Sequence, residues 1–273
     1  MCLYKYCVCD LDGTLLNSDH EITEENKKAI ATLIKNNFKV VFATGRVDLM
    51  VRRYFKEIKV NMPVISCNGA LIRNLHTNKI LYSKNINLEI AKKILNYCLE
   101  NNIHFLVYTP NSIFYSENNP RIDMLTSLKK DAGKEIEFYL KPSDDIHNHI
   151  EEIDVLKILM ISDDSTIINN AFLEFKDNKD LTVVSSSKGL LDLMSSNINK
   201  GEALEILSKK MDIDLKKAIA FGDNYNDINM FEKVGFPIAV GNAEEPVKKK
   251  AKFVTLSNNE SGVAYAIYEK ILK

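Results

Sequence analysis

Short apolar runs alternate with helical patterns at the N-terminal end of the chain. Strand-like runs lie at residues 5–9, 39–43 and 63–67, and amphipathic helical patterns separate them. Thr23 is an expected N-cap for the first helix, which continues to about Lys35. Strands that alternate with helices predict βαβ units and a parallel sheet.

The pattern changes in the middle of the chain, where strands occur in adjacent pairs with fewer helices between them. The expected pairs are residues 70–73 with 79–83, 104–109 with 112–115, and 181–186 with 190–194. A long apolar strand is expected at 155–162, with helices at 88–101 and 166–176. This arrangement predicts an α+β module with an antiparallel sheet. Residues 133–150 favour neither helix nor strand.

Strand–helix alternation returns after Asn199. The predicted order is a helix at 200–210, a strand at 217–221, a helix at 228–234, strands at 237–240 and 253–256, and a helix at 262–272. The simplest interpretation is one parallel α/β domain built from both ends of the chain, residues 1–82 and 195–273. The second module, residues 83–194, would be inserted between them.

Composition excludes several classes of partner. The 273 residues include 36 basic and 37 acidic side chains, so a net charge of −1 predicts neither nucleic-acid nor anionic-membrane binding. The basic run 248–250 is interpreted as a solvated helix end. No apolar run reaches the ~18 residues of a membrane span, and the N-terminus lacks a signal-peptide pattern. We therefore expect a cytoplasmic protein without membrane association, present as a monomer or weak homo-oligomer.

The cysteines and histidines do not suggest a disulfide framework or a zinc site. The five cysteines have no framework spacing, and Cys7 and Cys9 are expected to be small buried hydrophobic residues of the first strand. His147 and His149 lie in a polar stretch without further ligands at recognisable spacing, so a surface loop is favoured.

The first strand is followed by an acidic turn, Asp10-Leu11-Asp12-Gly13-Thr14. Two carboxylates two residues apart point the same way if the strand pleat persists, and Gly13 allows a sharp turn. Because such carboxylates repel each other, the arrangement calls for a cation between them. It also places a potential nucleophile beside a potential acid/base.

Three further polar groups follow predicted core strands or begin a core helix. They are Thr44-Gly45-Arg46, Lys200, and the loop from Asp223 to Asp227. Ligands bind at the carboxyl edge of open α/β sheets, so we expect these groups to meet there. A hydroxyl and a glycine N–H suit a phosphate oxygen, and Mg²⁺ and a lysine would offset the negative charge of the four carboxylates and of a bound phosphate.

Four motifs therefore occur in order: DLDGT at Asp10, ATGR around Thr44, NKG around Lys200 and GDNYND at Asp223. With this set, the chain resembles the haloacid dehalogenase-like phosphatase superfamily, and within it the Cof-type sugar-phosphatase branch. The resemblance implies a Rossmann-like parallel-sheet core with an inserted α+β cap of the C2 type. The short interval between the first two motifs leaves no room for a cap, whereas the long interval before Lys200 accommodates one.

The resemblance also implies a mechanism for phosphomonoester hydrolysis. Asp10 would attack phosphorus and form an aspartyl-phosphate, and Asp12 would protonate the leaving alcohol and then deprotonate water. Mg²⁺ would be held by the Asp10 carboxylate, the Asp12 main-chain carbonyl and Asp223. Asp227 would orient these ligands without binding the metal itself.

The remaining motif residues are assigned to the phosphate. Thr44 and Lys200 would bind the phosphoryl oxygens, and Gly45 would contribute its backbone N–H. Asn226 would contact either the phosphate or the leaving group. Arg46 has two possible roles, reaching the phosphate or pairing with an acid to fix the loop, and the structural role is favoured.

Substrate choice is expected to reside in the inserted module. A small sugar or polyol phosphate fits the resemblance, and the candidate contacts are Tyr108, Tyr115, Arg121, His104, Lys188 and Asp192. Two alternatives remain open, a hexose phosphomutase similar to phosphomannomutase and a non-catalytic sugar-phosphate sensor. The complete set of motif carboxylates weighs against the sensor.

Overall fold

The computed structural model describes residues 3–132, 139–143, 146 and 150–273. The chain divides into two compact units. The first, called the core unit here, comprises Met1–Tyr82 and Asn199–Lys273, and the second, the inserted unit, is Ser83–Ile198. Each unit has its own cluster of buried apolar side chains.

The core unit is a parallel α/β structure. Its strands are β1 (Tyr6–Cys9), β2 (Lys39–Phe42), β3 (Val64–Ser66), β4 (Leu71–Asn74), β5 (Lys79–Ser83), β12 (Ala218–Gly222), β13 (Phe236–Ala239) and β14 (Phe253–Val254). Its helices are α1 (Glu24–Lys35), α2 (Asp48–Glu57), α6 (Lys200–Met211), α7 (Ile228–Phe231), α8 (Glu245–Lys250) and α9 (Gly262–Ala266), the last continued by a wide turn at Ile267–Ile271.

The main sheet joins the two ends of the chain. Its strand order is β14-β13-β12-β1-β2, and each neighbouring pair is parallel. Strand β1 lies between β12 and β2 because its Cys7-Val8-Cys9 run is buried on both faces, as a central parallel strand requires. The next strand in sequence, β2, lies on one side of β1, and the strands from the C-terminal part of the chain lie on the other side, beginning with β12. The strand order therefore reverses at β1, and ligands of open α/β sheets bind at the carboxyl end of such a switch point.

Strand β3 departs from the single parallel sheet that its sequence predicts. It meets the main sheet through one bridge between Ala43 and Ile65, and then begins a three-stranded sheet of order β3-β4-β5. The predicted hairpin of β4 and β5 is confirmed.

Side-chain caps set the start of two helices of the core unit. The Thr23 side chain accepts a hydrogen bond from Asn26 N, as predicted for α1. The Asn199 side chain likewise accepts from Glu202 N at 2.8 Å and starts α6 at Lys200. Capping satisfies N–H groups that have no partner within the helix. The basic run 248–250 forms the last turn of α8, as expected.

The inserted unit is an α+β structure, which confirms the predicted fold class. Its strands are β6 (His104–Tyr108), β7 (Ser112–Tyr115), β8 (Tyr139–Pro142), β9 (Lys157–Ile161), β10 (Leu181–Ser187) and β11 (Leu190–Ser195), in the order β10-β11-β9-β6-β7-β8. The pairs are antiparallel apart from the parallel pair β7–β8. Its longer helices are α3 (Leu88–Glu100), α4 (Ile122–Ala132) and α5 (Ser165–Phe175).

Two features of the inserted unit differ from expectation. Helix α4 was not predicted, because Leu125 is the one fully buried apolar position among its described side chains and the helical pattern is weak. The unit also extends to Ile198, beyond the expected boundary at Met194. Strand β11 runs through Ser195, and Ser196 N then donates to Asp180 O at 2.8 Å.

Cys7, Cys9, Cys67 and Cys98 are buried and are not joined in disulfides. Burial raises the pKa of Cys7 and of Cys98 to about 12, so both behave as apolar side chains. His147 and His149, and most of the ambiguous stretch 133–150, lie outside the described residues. Within the part of the chain that is described, every helix is too short or too polar to cross a bilayer.

Candidate active site

The carboxyl ends of three adjacent strands carry the predicted motif residues. Asp10 follows β1, Thr44 lies just beyond β2, and Asp223 follows β12 directly. Parallel pairing places Cys9 beside Phe221 and Phe42, so these three strand ends are at one level of the sheet. Lys200 joins them from the first position of α6.

The Lys200 ammonium lies between two buried carboxylates. Its Nζ atom is 2.6 Å from Asp10 Oδ1 and 2.7 Å from Asp227 Oδ1, and all three side chains are buried. Burial raises the pKa of Asp10 well above its ordinary value, and Asp227 and Asp223 add to this, whereas Lys200 opposes it. Although burial alone would lower the pKa of Lys200, the two carboxylates raise it, so the lysine is a fixed cation.

Asp227 organises the loop that follows β12. Its Oδ2 atom accepts from the backbone N–H groups of Asp223 at 2.9 Å and Asn224 at 3.1 Å, while Oδ1 accepts from Lys200. The Asn224 side chain accepts in turn from Tyr225 N at 2.7 Å. Both oxygens of Asp227 therefore have donors within the protein, which suits a role in holding Asp223 and Lys200 in place.

Asp223 completes a compact acidic cluster. Carboxylate oxygens of Asp10, Asp223 and Asp227 all lie within 4.8 Å of one another. Burial raises the pKa of Asp223 to about 6, although Thr14 Oγ1 donates a 2.7 Å hydrogen bond that favours the charged form. Three carboxylates with one ammonium leave negative charge uncompensated, and oxygen ligands at this spacing suit a hard divalent cation.

Gly13 permits the close approach of the first turn to Asp223. Its φ of 73° is in the left-handed region, and a Cβ atom there would overlap the Asp223 carboxylate. Asn242 Nδ2 donates to Gly13 O at 2.8 Å and fixes the turn from the other side.

The Asp12 side chain lies outside this acidic cluster, contrary to the expected convergence of four carboxylates. It forms a forked ion pair with Arg46, whose Nε atom is 2.7 Å from Asp12 Oδ2 and whose second nitrogen reaches Oδ1. His20 Nδ1 lies 3.5 Å from the same carboxylate, which remains 46% exposed. The strand pleat ends at Cys9 and the chain enters a wide turn, so the alternation of side chains does not continue to Asp12.

Arg46 is positioned for this ion pair by its own contacts. Its Nη1 atom lies 3.4 Å from Tyr54 Oη, and Tyr54 Oη donates to His20 O at 2.8 Å. Pairing with an acid is the role favoured from the sequence, and the geometry agrees with it.

The loop after β2 contacts Asn68, a residue that was not predicted to belong to the site. Thr44 is buried, and its Oγ1 atom accepts from Arg46 N at 3.1 Å. Gly45 lies against the Asn68 carboxamide. Asn226 Nδ2 donates to Asn68 Oδ1 at 3.0 Å, so Asn68 connects the loops after β2 and β12. The Asn68-Gly69 dipeptide was a turn signal that could have drawn attention to it.

Four of the six candidate contacts in the inserted unit share one face of its sheet. Phe105, Val107 and neighbouring strand residues of the same parity pack in the apolar cluster with α3 and α5. By register, His104, Tyr108, Tyr115 and Asp192 lie on the opposite face. Arg121 precedes α4, and Lys188 is exposed between β10 and β11.

Lys157 lies on the same sheet face and was not among the candidates. Its Nζ atom is 2.7 Å from Asp192 Oδ1 and 4.8 Å from the centre of the Tyr108 ring. The structure thus brings Tyr108 and Asp192 together around a lysine.

Comparison with known proteins finds similarity along nearly the whole chain. A family model described as haloacid dehalogenase-like hydrolase matches residues 7–267. The phosphatase YwpJ of Bacillus subtilis is 32% identical over 96% of this chain and 98% of its own length. The 5-amino-6-(5-phospho-D-ribitylamino)uracil phosphatase YwtE of the same species is 32% identical over 96% of each chain. A haloacid dehalogenase-like hydrolase structure from Bacteroides thetaiotaomicron has a TM-score of 0.85, 28% identity, and coverage of 97% of this chain and 98% of that one.

The chain belongs to the haloacid dehalogenase-like hydrolase family. Within that family it is a phosphatase of the Cof type, with a parallel-sheet core and an additional sheet in the inserted unit.

Proposed function

We propose that this phosphatase is a Mg²⁺-dependent phosphomonoester hydrolase of small phosphorylated metabolites, in particular sugar or polyol phosphates, acting through an aspartyl-phosphate. The observation that carries the proposal is the buried Lys200 held between Asp10 and Asp227, with Asp223 beside them. A fixed cation next to a carboxylate at a strand end is what a phosphoryl group needs for binding and attack.

The donor set fits a divalent cation. Asp10 and Asp223, with the main-chain carbonyl of Asp12, would hold it, while Asp227 supports them through Lys200 and the Asp223 N–H. Burial raises the pKa of Asp10 and of Asp223 even with Lys200 beside them, so a divalent cation would further favour their charged forms. When bound, Mg²⁺ supplies positive charge that offsets the charge on the phosphoryl oxygens.

The chain's own residues then account for two displacements. An Asp10 carboxylate oxygen forms a bond to phosphorus as the bond from phosphorus to the substrate oxygen breaks, and Asp12 donates a proton to that oxygen. Asp12 then accepts a proton from water, whose oxygen attacks phosphorus and releases Asp10 and inorganic phosphate. Lys200, Thr44 and the Gly45 N–H bind the phosphoryl oxygens throughout, and Asn226 contacts the phosphate or the leaving group.

The substrate class is supported by the relatives. The name of YwtE specifies a phosphoribitylamino compound, which carries its phosphate on a polyol chain. Tyr108, Lys157 and Asp192 lie together on one sheet face of the inserted unit, but all three are buried and Lys157 is paired with Asp192, so the substrate class does not rest on them.

The test is phosphate release by purified protein from p-nitrophenyl phosphate and from a panel of sugar phosphates, polyol phosphates and nucleotides. Asp10→Asn is expected to abolish release without loss of folding, whereas Asp19→Asn, an exposed aspartate of the following loop, is expected to match wild type. EDTA should stop turnover and Mg²⁺ should restore it. Activity retained by Asp10→Asn would exclude Asp10 as the nucleophile, and conversion of a hexose 1-phosphate to an isomer would identify a mutase instead.

A further inference from the structure

The turn Cys67-Asn68-Gly69 has an unusual backbone. All three residues have positive φ, at 50°, 53° and 107°. Left-handed geometry is uncommon for a cysteine, and consecutive left-handed residues persist where the surrounding structure determines them. Such backbone is found preferentially at binding and catalytic sites.

This turn contacts three segments that carry motif residues. Cys67 N donates to Arg46 O at 2.8 Å and Asn68 N donates to Thr44 O at 3.0 Å, so the turn holds the loop after β2 through its backbone. Gly69 packs so closely on Asn199 O, at the start of α6, that a Cβ atom would overlap it. The Asn68 side chain reaches the third segment, the loop after β12, through Asn226.

We propose that Asn68 is a positioning residue for phosphoryl transfer, which sets the orientation of the Asn226 carboxamide at the substrate. The inference rests on the proposed function, in which Asn226 contacts the phosphate or the leaving group. Asn226 is exposed in a loop, and an exposed asparagine has free rotation unless a partner fixes it. The 3.0 Å hydrogen bond from Asn226 Nδ2 to Asn68 Oδ1 supplies that partner and leaves the Asn226 carbonyl oxygen and second N–H directed away from it.

The left-handed backbone explains how Asn68 reaches this position. Asparagine adopts positive φ more readily than most residues, so it combines the required backbone with a side-chain acceptor. Gly45 leaves room for the carboxamide, because a side chain at that position would crowd Asn68 Oδ1. The arrangement therefore depends on residue types in two separate loops.

Asn68→Gly is the informative variant, because glycine accepts the left-handed backbone and removes only the carboxamide. Asn37→Gly is its matched control. Asn37 also has positive φ, at 64°, and is exposed, but it lies between α1 and β2 at the amino-terminal edge of the sheet. Asn68→Ser, whose side chain is too short to reach Asn226, provides a second variant should the glycine variant fold poorly.

The measurement is kcat and KM for phosphate release, with a thermal melt of each protein. Asn68→Gly is expected to lower kcat/KM about ten-fold, mainly through KM, while keeping the melting temperature of the Asn37→Gly control. The double variant Asn68→Gly, Asn226→Ala should be no worse than Asn226→Ala alone, because Asn68 acts through Asn226. A merely structural role would lower the melting temperature and would not depend on Asn226.

The proposal is overturned if Asn68→Gly and Asn68→Ser match the control in kcat/KM, or if the losses of the two single variants add in the double variant. A wild-type protein that releases no phosphate from any member of the panel would instead contradict the proposed function.

Discussion

Lys200 Nζ lies 2.6 Å from Asp10 Oδ1, although the two residues are separated by the whole inserted unit in sequence. Both side chains are buried, so neither charge is well solvated. Removing one partner of a buried pair leaves the other charge uncompensated, which is more costly than the pair itself. The same contact therefore links the stability of the core unit to its chemistry.

Lys200→Met is expected to reduce both stability and turnover. Because Asp10 and Asp227 would lose their shared cation, the free energy of unfolding should fall by about 3–5 kcal/mol. Loss of the charge that we propose binds the phosphoryl oxygens should lower kcat at least ~100-fold. Urea unfolding and phosphate release measure the two effects.

Lys233→Met is the matched control for that change. Lys233 pairs with Glu205 at 2.9 Å near the surface, where an ion pair contributes within about 1 kcal/mol. If Lys200→Met lost no more stability than Lys233→Met and kept its turnover, the central role assigned to Lys200 would be wrong.

The stability of the metal-free protein should depend on pH through the acidic cluster. Burial raises the pKa of Asp223 from 3.8 to about 6, so the folded protein retains a proton there at pH values where the unfolded chain has released it. The contribution of Asp223 to the free energy of unfolding is therefore present below pH 4 and is lost as pH rises to about 6. Mg²⁺ should restore stability most where the carboxyls are ionised.

Thermal melts in EDTA and in Mg²⁺, at pH 5 and pH 7, measure this dependence. Asp223→Asn serves as the reference, because it keeps the titration of all surface groups. We expect wild type to lose more stability than Asp223→Asn between the two pH values in EDTA, and to gain more from Mg²⁺ at pH 7. The opposite ordering would mean that Asp223 is not in a metal-binding cluster.

The position of the candidate active site at the carboxyl edge of the main sheet could be predicted from the sequence because it depends on strand pattern and topology. Buried runs such as that of β1 mark central strands, and parallel strands align their carboxyl ends, so Asp10, Thr44 and Asp223 could be placed together. Lys200 was placed there as the first residue of a predicted helix, and in the structure Asn199 caps that helix.

Backbone conformation after the strands could not be predicted in the same way. The pleat rule placed Asp12 beside Asp10, but the wide turn that starts at Leu11 directs its carboxylate to Arg46. Asn68 was missed because its role depends on the left-handed backbone at Cys67, which no local propensity favours. Both misses concern side-chain direction, which depends on φ and ψ at single residues.

Gly13→Ala tests the close approach of the first turn to the acidic cluster. The left-handed φ of 73° and the overlap of a Cβ atom with Asp223 should cost about 1–3 kcal/mol of stability and lower kcat/KM at least ~10-fold. Gly189→Ala is the control. Gly189 lies in the hairpin between β10 and β11 with a φ of 78°, and a Cβ atom there would overlap Ser162 O, just after β9.

The two glycine variants should therefore lose similar stability but differ in activity, as measured by thermal melts and phosphate release. Equal loss of activity in both would assign the effect to general destabilisation. Full activity in Gly13→Ala would show that Asp223 tolerates displacement.

Arg46→Lys tests whether the forked ion pair orients Asp12 as the general acid. Lysine keeps the charge but cannot form two parallel hydrogen bonds to one carboxylate. A poorly oriented acid matters most when the leaving group needs a proton, so kcat should fall more for a sugar phosphate than for p-nitrophenyl phosphate, whose leaving group is stable as an anion.

Arg53→Lys is the control, because Arg53 donates to His20 O and Tyr54 Oη rather than to Asp12. We expect the ratio of the two kcat values to change at least ~10-fold in Arg46→Lys and to stay near wild type in Arg53→Lys. An equal fall for both substrates in Arg46→Lys would instead place the guanidinium on the phosphate, the role that the sequence left as the alternative.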